Sequence, residues 1–204
     1  NCGLPYYIGD VITDAEELTL QTPESFYSRF RVDMRVHHEV TAIHPEKKTV
    51  SVKNLKTGEE FEESYDKLIL SPGAKPTQPR FSGTELDKVF TLRTVEDTLR
   101  IKKYINQNHP KSVVLAGGGF IGLELAENLR ELGMDVTIVQ NGKQLMNLFD
   151  HDMASFIHNE MRKHGVKLAL GHTVEGFEDR DVGVDVLLKD DAPLHADMVV
   201  LAIG

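Results

Sequence analysis

The stretch that decides the fold of this chain is Val113-Val114-Leu115-Ala116-Gly117-Gly118-Gly119-Phe120-Ile121-Gly122-Leu123-Glu124-Leu125-Ala126. A short apolar run rich in β-branched residues enters a glycine turn, and a helical pattern leaves that turn. Gly117 permits the tight turn, Gly119 lets a pyrophosphate approach the backbone, and Gly122 lets the helix pack closely on the strand. Free N–H groups at the helix start then face the phosphates. We therefore expect a dinucleotide site formed by Gly117, Gly118, Gly119, Phe120, Ile121 and Gly122.

The residue expected to select between nicotinamide dinucleotides is Gln140. In this motif an acidic residue about 20 positions after the glycines holds the ribose hydroxyls, but here the second strand ends at Gln140. An amide can still hydrogen-bond a ribose, although it does not repel a 2′-phosphate as a carboxylate does. No arginine follows in Asn141-Gly142-Lys143, so we expect NADH, with NADPH as the open alternative. A glycine-rich packing loop without any ligand is the alternative for the turn as a whole.

The composition argues against several classes of partner. The 204 residues include 23 Lys and Arg against 32 Asp and Glu, which gives a net charge of −9 without a basic cluster. A nucleic-acid surface and an anionic membrane are therefore not expected. No apolar run approaches the roughly 20 residues that span a bilayer, so we expect a cytoplasmic protein. The histidines lack the spacing of a helical metal pair, and we expect no metal site.

Strands and helices are expected to alternate around the glycine turn. Before it, the pattern predicts an antiparallel meander within 36–65, a buried parallel strand over 68–70 and a helix over 94–108. After it, five further strands are expected over 136–139, 166–170, 174–178, 184–188 and 198–203. One further helix is expected over 152–164. This order predicts an α/β fold with a doubly wound parallel sheet. Because prolines and a glycine cluster in 72–79, we place a domain boundary between residues 78 and 79.

Two helix starts can be predicted from their capping residues. Thr22 precedes Pro23, and proline is favoured at the first helical position, so a short helix is expected there with Ser25 completing the cap. Thr94 and Asp97 have the spacing of a capping box. Both helices should therefore begin directly after the threonine.

Four segments, in this order, resemble the flavin-dependent pyridine nucleotide–disulfide oxidoreductases. They are Asn1-Cys2-Gly3-Leu4-Pro5-Tyr6-Tyr7-Ile8-Gly9, Leu68-Ile69-Leu70-Ser71-Pro72-Gly73-Ala74-Lys75-Pro76, the glycine turn, and Ala196-Asp197-Met198-Val199-Val200-Leu201-Ala202-Ile203-Gly204. The resemblance covers nearly the whole chain. It is strongest to the single-cysteine branch, which contains coenzyme A-disulfide reductases, NADH oxidases and NADH peroxidases.

The resemblance implies how the chain is organised. Residues 1–78 would be the central part of an FAD-binding domain, with the redox cysteine segment and the β-meander, and residues 79–204 a Rossmann-like NAD(P)-binding domain. Gly73 and Gly204 are implied cofactor contacts at the two places where the chain passes between these domains. The chain would then be truncated at both ends and inactive in isolation. Its parent would carry FAD and form a homodimer through a C-terminal domain.

The resemblance also implies the chemistry of Cys2, the single cysteine of the chain. Dithiol members carry a second cysteine five residues later, where this chain has Tyr7, so Cys2 would form a mixed disulfide or a sulfenic acid. A helix start at Gly3 to Pro5 would favour the thiolate. Asn1 before the cysteine and Tyr6-Tyr7 after the proline favour a small disulfide such as coenzyme A disulfide as substrate. The alternatives are an NADH oxidase or peroxidase, and a non-catalytic NADH-binding module.

Two residues of the glycine turn and its helix are implied to act near the flavin. Phe120 occupies the place of an aromatic residue that shields the flavin until nicotinamide enters, with a core aromatic as the alternative. Glu124 matches a carboxylate aimed at the flavin and nicotinamide, with a solvated helix residue as the alternative. Cys2 and Glu124 are thus the catalytic candidates.

Overall fold

A computed structural model describes residues 2–76, 79 and 81–203. Its helices are α1 (Leu4–Ile8), a 3₁₀ turn (Ala15–Leu18), α2 (Pro23–Phe30), α3 (Val95–Asn108), α4 (Phe120–Glu131) and α5 (His151–Lys163). Its strands are β1 (His38–His44), β2 (Thr49–Asn54), β3 (Glu60–Ser64), β4 (Val89–Thr91), β5 (Ser112–Ala116), β6 (Asp135–Gln140), β7 (Lys167–Leu170), β8 (Val174–Asp179), β9 (Val184–Leu188), β10 (Leu194–Ala196) and β11 (Met198–Leu201).

The chain forms two compact units whose limits differ from the predicted boundary. The larger unit comprises Asn1–Leu18 with Lys75–Gly204, and the smaller comprises Thr19–Ala74. The cysteine segment belongs to the larger unit because the apolar side chains of Leu4, Ile8 and Leu18 are buried in its core. Which cofactor the ranges 1–78 and 79–204 serve stays a prediction.

A five-stranded parallel sheet lies at the centre of the larger unit, in the order β4-β11-β5-β6-β7. Successive strand residues point to opposite faces, so Val113 and Leu115 pack in one core cluster and Val114 and Ala116 in another. The first cluster contains side chains of α1, α3, α4 and α5. The expected α/β fold with a Rossmann-like parallel sheet is therefore confirmed.

The second face of this sheet is covered by strands. β8, β9 and β10 form a separate antiparallel sheet in the order β10-β9-β8, and their apolar side chains complete the second core cluster. The pattern predicted β8 and β9 as strands but not this sheet. A connection as short as 180–183 joins antiparallel neighbours, whereas a parallel pair needs a long crossover.

The smaller unit contains the predicted antiparallel meander, in the order β1-β2-β3. Its helix α2 begins at Pro23 behind a capping box, in which Ser25 N–H donates to Thr22 Oγ1 and Thr22 N–H donates to Ser25 Oγ. The short helix and its cap are thus confirmed.

The prediction of a buried strand over 68–70 is wrong. None of the described strands includes this segment, and the side chain of Ile69 is 88% exposed. An apolar run predicts burial only where neighbouring strands are present to pair with it, and no described strand pairs with it here. The three apolar side chains consequently face solvent.

Candidate functional site

The glycine turn after β5 has a backbone that requires glycine at its first position. Gly117 has φ +119°, a region that side chains rarely adopt, and a Cβ there would lie 2.5 Å from the carbonyl oxygen of Ala202. A Cβ on Gly122 would collide with the carbonyl oxygen of Gly117, so α4 begins in close contact with the turn. By contrast, a Cβ on Gly119 would meet no atom within 4 Å. The middle of the turn therefore borders open space.

That open space is a cleft of about 520 Å³ at the carboxyl ends of the parallel strands. It contains Gly117, Gly118, Gly119, Phe120, Ile121 and Gln140 of the predicted site, whereas Gly122 is buried behind the turn. The structure adds residues that the motif does not identify: Asn141, Met146, Asn147, Leu148, Ala202 and Ile203. The position of Ala202 and Ile203 follows from the pairing of β11 with β5, a long-range contact that the motif does not encode.

The helix start at this cleft provides donors for an anion. Gly119 is the N-cap of α4 and, having no side chain, makes no capping hydrogen bond. The first N–H groups of a helix have no partner within it. Together with the positive end of the helix dipole, they favour a phosphate in the open space beside Gly119. The cleft fits the diphosphate of a dinucleotide in size and in donor chemistry.

Gln140 is held by the glycine turn. Its side-chain Oε1 accepts a hydrogen bond from the N–H of Gly118, at 3.0 Å. Because the amide oxygen makes this bond, the amide NH₂ is the group left to donate to a ligand. Gln140 is thus equipped to donate to ribose or phosphate oxygens.

Cys2 lies exposed before the first turn of α1. One face of α1 is fixed, since its residues Leu4 and Ile8 are buried in the core with side chains of α3 and α4. The expected helix start at Gly3, with Pro5 in the first turn, is confirmed. The cysteine is therefore a free surface thiol just before a helix that packs in the core of the larger unit.

Glu124 lies at a second cavity, which also borders α1. Its side chain lines this cavity of about 180 Å³ together with Leu4, Pro5, Leu92, Arg93 and Ile121. Ile121 also lines the large cleft. The first turn of α1 and the first turn of α4 therefore border a common space, with one carboxylate beside it.

The three remaining predicted residues, Phe120, Gly73 and Gly204, lie in different places. Phe120 is 60% exposed and lines the cleft, so the alternative of a core aromatic is wrong. Gly73 lies in the smaller unit with φ +72° and no atom near its missing side chain. Gly204 lies outside the described residues.

No group of three or more His, Cys, Asp or Glu side chains in the described part of the chain could hold a metal ion. No helix in the described ranges is long and apolar enough to cross a membrane.

Comparisons with known proteins agree over the whole chain. A family model described as pyridine nucleotide-disulphide oxidoreductase matches residues 1–204. Coenzyme A disulfide reductase from Staphylococcus aureus (strain MRSA252) is 40% identical over 204 residues, which is 100% of this chain and 45% of that protein. The chain thus spans less than half the length of this curated relative.

Solved structures are similar in fold as well as in sequence. Reduced CoADR-RHD from Bacillus anthracis superimposes with a TM-score of 0.92 at 46% identity, covering 100% of this chain and 36% of that one. The water-forming NADH oxidase from Lactobacillus brevis, bound to NADH, gives a TM-score of 0.90 at 33% identity, covering 100% and 44%. These likenesses include the cysteine segment as well as the cleft.

Proposed function

The chain belongs to the pyridine nucleotide-disulphide oxidoreductase family, and we propose that it is part of a flavoprotein that passes electrons from NAD(P)H through FAD to a small disulfide. One observation carries this proposal: the exposed Cys2 lies just before a helix whose first turn shares a cavity with the start of α4, beside the nucleotide cleft. The substrate class rests on the similarity to coenzyme A disulfide reductase. We therefore propose coenzyme A disulfide, or a disulfide like it.

The residues around the smaller cavity fit a flat aromatic group. Leu4, Pro5 and Ile121 supply apolar surface, and Glu124 supplies a carboxylate at its edge. FAD, when bound, would supply the transfer of an electron pair from nicotinamide to the cysteine. In this proposal Glu124 orients the reacting rings and Phe120 covers them until nicotinamide enters. The glycine turn and Gln140 hold the nicotinamide dinucleotide, with NADH preferred to NADPH.

Cys2 carries the disulfide chemistry. Its thiolate attacks one sulfur of the substrate disulfide, which forms a mixed disulfide and releases the first thiol as a thiolate. An electron pair and a proton then break the mixed disulfide, which releases the second thiol and restores the Cys2 thiolate. The sum is NADH, a proton and one disulfide giving NAD⁺ and two thiols. A single exposed cysteine suffices for this cycle.

The second candidate is an NADH oxidase or peroxidase, favoured by the similarity to the water-forming NADH oxidase. Cys2 would then carry a sulfenic acid and reduce oxygen or peroxide. For both candidates we propose a cytoplasmic protein that forms a homodimer through a domain outside this chain. They differ in the electron acceptor.

The experiment that tests the proposal uses the full-length protein. Its absorbance spectrum reports bound flavin, and NADH oxidation is followed with coenzyme A disulfide, with peroxide and with oxygen. Faster turnover with coenzyme A disulfide is expected. Turnover with peroxide or oxygen alone would support the second candidate, and a colourless protein that binds NADH but oxidises it with no acceptor would exclude both.

A further inference from the structure

The loop between β6 and α5 forms one wall of the nucleotide cleft. Met146, Asn147 and Leu148 line the cleft, and the N–H of Met146 donates to the carbonyl oxygen of Gly118 at 2.8 Å. The side chain of Leu145 fills the space beside Gly118, where a Cβ would collide with it. The wall is therefore attached to the middle of the glycine turn.

Gly118 is held from both sides of its backbone. Gln140 accepts from its N–H, and Met146 donates to its carbonyl oxygen. These two bonds fix the orientation of the turn. Gly119 and the helix start, where we place the diphosphate, follow directly after it in the chain.

The loop is in a conformation that needs external support. Met146 has φ +49°, in the left-handed region that residues other than glycine seldom adopt. Such a conformation persists where surrounding contacts determine it. Leu145, the preceding residue, is fully buried, and its backbone N–H must find an acceptor inside the protein.

That acceptor is a histidine of α5. The N–H of Leu145 donates to Nε2 of His158 at 2.9 Å, and His158 is only 6% exposed. Nε2 accepts a hydrogen bond only when it carries no proton, so the neutral imidazole with its proton on Nδ1 is required. His158 thus holds the backbone of the loop at Leu145.

We propose that His158 is a positioning residue for nicotinamide dinucleotide binding. By holding the backbone of Leu145, it places Met146 against Gly118 and so sets both the wall and the turn of the cleft. The inference rests on the proposed function, because it requires that this cleft binds the dinucleotide. His158 does not line the cleft itself, and its effect passes through the loop.

The test compares two substitutions of His158 in the full-length protein. His158→Leu removes the acceptor, whereas His158→Gln places an amide oxygen near the position of Nε2. NAD⁺ affinity is measured by calorimetry, and KM and kcat for NADH by steady-state kinetics. We expect His158→Leu to weaken NAD⁺ binding and raise KM about tenfold with kcat nearly unchanged. His158→Gln should restore most of the affinity.

The matched control is His164→Gln, since His164 caps the C-terminal end of the same helix but is exposed. It should leave NAD⁺ binding unchanged. Wild-type affinity in a folded His158→Leu protein, or an equal loss in the Leu and Gln variants, would overturn the proposal. A wild-type protein that binds neither NAD⁺ nor NADP⁺ would overturn the proposed function itself, and the role of His158 with it.

A second measurement needs no variant and remains decisive if His158→Leu does not fold. Amide hydrogen exchange of the wild-type protein is compared with and without NAD⁺. We expect NAD⁺ to slow exchange at Leu145 and Met146 more than at amides of the exposed face of α5. Unchanged exchange at Leu145 in a protein that binds NAD⁺ would contradict the proposal.

Discussion

At the scale of single residues, the glycine turn contains one position that meets backbone atoms and another that borders the open cleft. Gly117 combines a positive φ with close contact to Ala202. Gly119 has φ −88°, an ordinary value, and open space where its side chain would be. The two glycines should therefore respond differently to the same substitution.

We predict that Gly117→Ala lowers the free energy of unfolding by about 1–3 kcal/mol, because the new methyl group meets backbone in a strained conformation. Gly119→Ala should change stability by less than about 0.5 kcal/mol, yet weaken NAD⁺ binding, since its methyl group occupies the approach of the diphosphate. Urea unfolding and calorimetry measure the two effects. Equal stability losses in both variants would contradict this distinction.

Gln140 should set the preference between the two nicotinamide dinucleotides. Gln140→Glu keeps an oxygen for the N–H of Gly118 but adds a negative charge at the end of β6. We expect wild-type protein to bind NADH more tightly than NADPH. The variant should increase the ratio of these two affinities by about tenfold, because its carboxylate repels the 2′-phosphate. Calorimetry with NAD⁺ and NADP⁺ measures the ratio. An unchanged ratio would place the 2′-phosphate away from Gln140.

His158 should make the stability of the folded protein depend on pH. Its pKa is lowered below the ordinary value of 6.5, chiefly by burial and also by the charges of Arg162 and His151. The unfolded chain therefore binds a proton at a higher pH than the folded one, so stability falls as pH decreases below about 6.5. Above that pH the histidine adds no pH dependence. Thermal melting between pH 5 and 7.5 should show a smaller decrease for His158→Gln than for wild type.

At the scale of elements, α1 depends on its neighbours for its position. A helix of 5 residues is not stable alone. The C-terminal end of α1 is held by Lys102 of α3. Its Nζ donates to the carbonyl oxygen of Ile8 at 2.9 Å and forms an ion pair with the carboxylate of Asp10 at 2.7 Å. The side chain of Lys102 is 12% exposed. One cation of the larger unit thus fixes the helix that follows Cys2.

We predict that Lys102→Met lowers the free energy of unfolding by about 1–2 kcal/mol, a value reduced by the exposure of Asp10. Disulfide turnover should fall as well, because Cys2 loses its fixed position. Lys103→Met, at the exposed neighbouring position, is the control and should change neither quantity. Urea unfolding and coenzyme A disulfide turnover provide the measurements; a fall in stability with full turnover would exclude a role in placing Cys2.

At the scale of the whole molecule, the proposed reaction has two halves that use different parts of the chain. In this proposal nicotinamide is oxidised at the cleft after β5, and the disulfide is reduced at Cys2 before α1. Both parts belong to the larger compact unit. A substitution at Cys2 should therefore stop one half-reaction and leave the other.

We predict that Cys2→Ser in the full-length protein abolishes coenzyme A disulfide turnover while NADH still bleaches the flavin absorbance at the wild-type rate. Serine has nearly the same size, so packing is retained, but it cannot form a mixed disulfide. Stopped-flow absorbance measures flavin reduction, and thiol release measures turnover. Loss of both half-reactions would indicate that Cys2 is structural.

Local sequence determined most elements of this protein. The glycine turn, the capping boxes at Thr22 and Thr94, and the meander between 38 and 64 each follow from residues a few positions apart. Backbone sterics and near-neighbour hydrogen bonds are short-ranged, so the pattern contains enough information to predict them. The cleft residues from Gly117 to Ile121 were predictable for the same reason, whereas Gln140 was predictable from its spacing after the glycines of the motif.

Only the tertiary structure decided which distant segments meet. The contact of α1 with α3 and α4, the antiparallel sheet over the second face, and the bond from Leu145 to His158 join residues whose separation follows no motif. The apolar run at 68–70 shows the converse, since its composition predicts burial and its exposed side chains show that burial also requires a neighbour. Burial and long-range hydrogen bonding each require two surfaces that meet. One stretch of sequence specifies only one of these two surfaces.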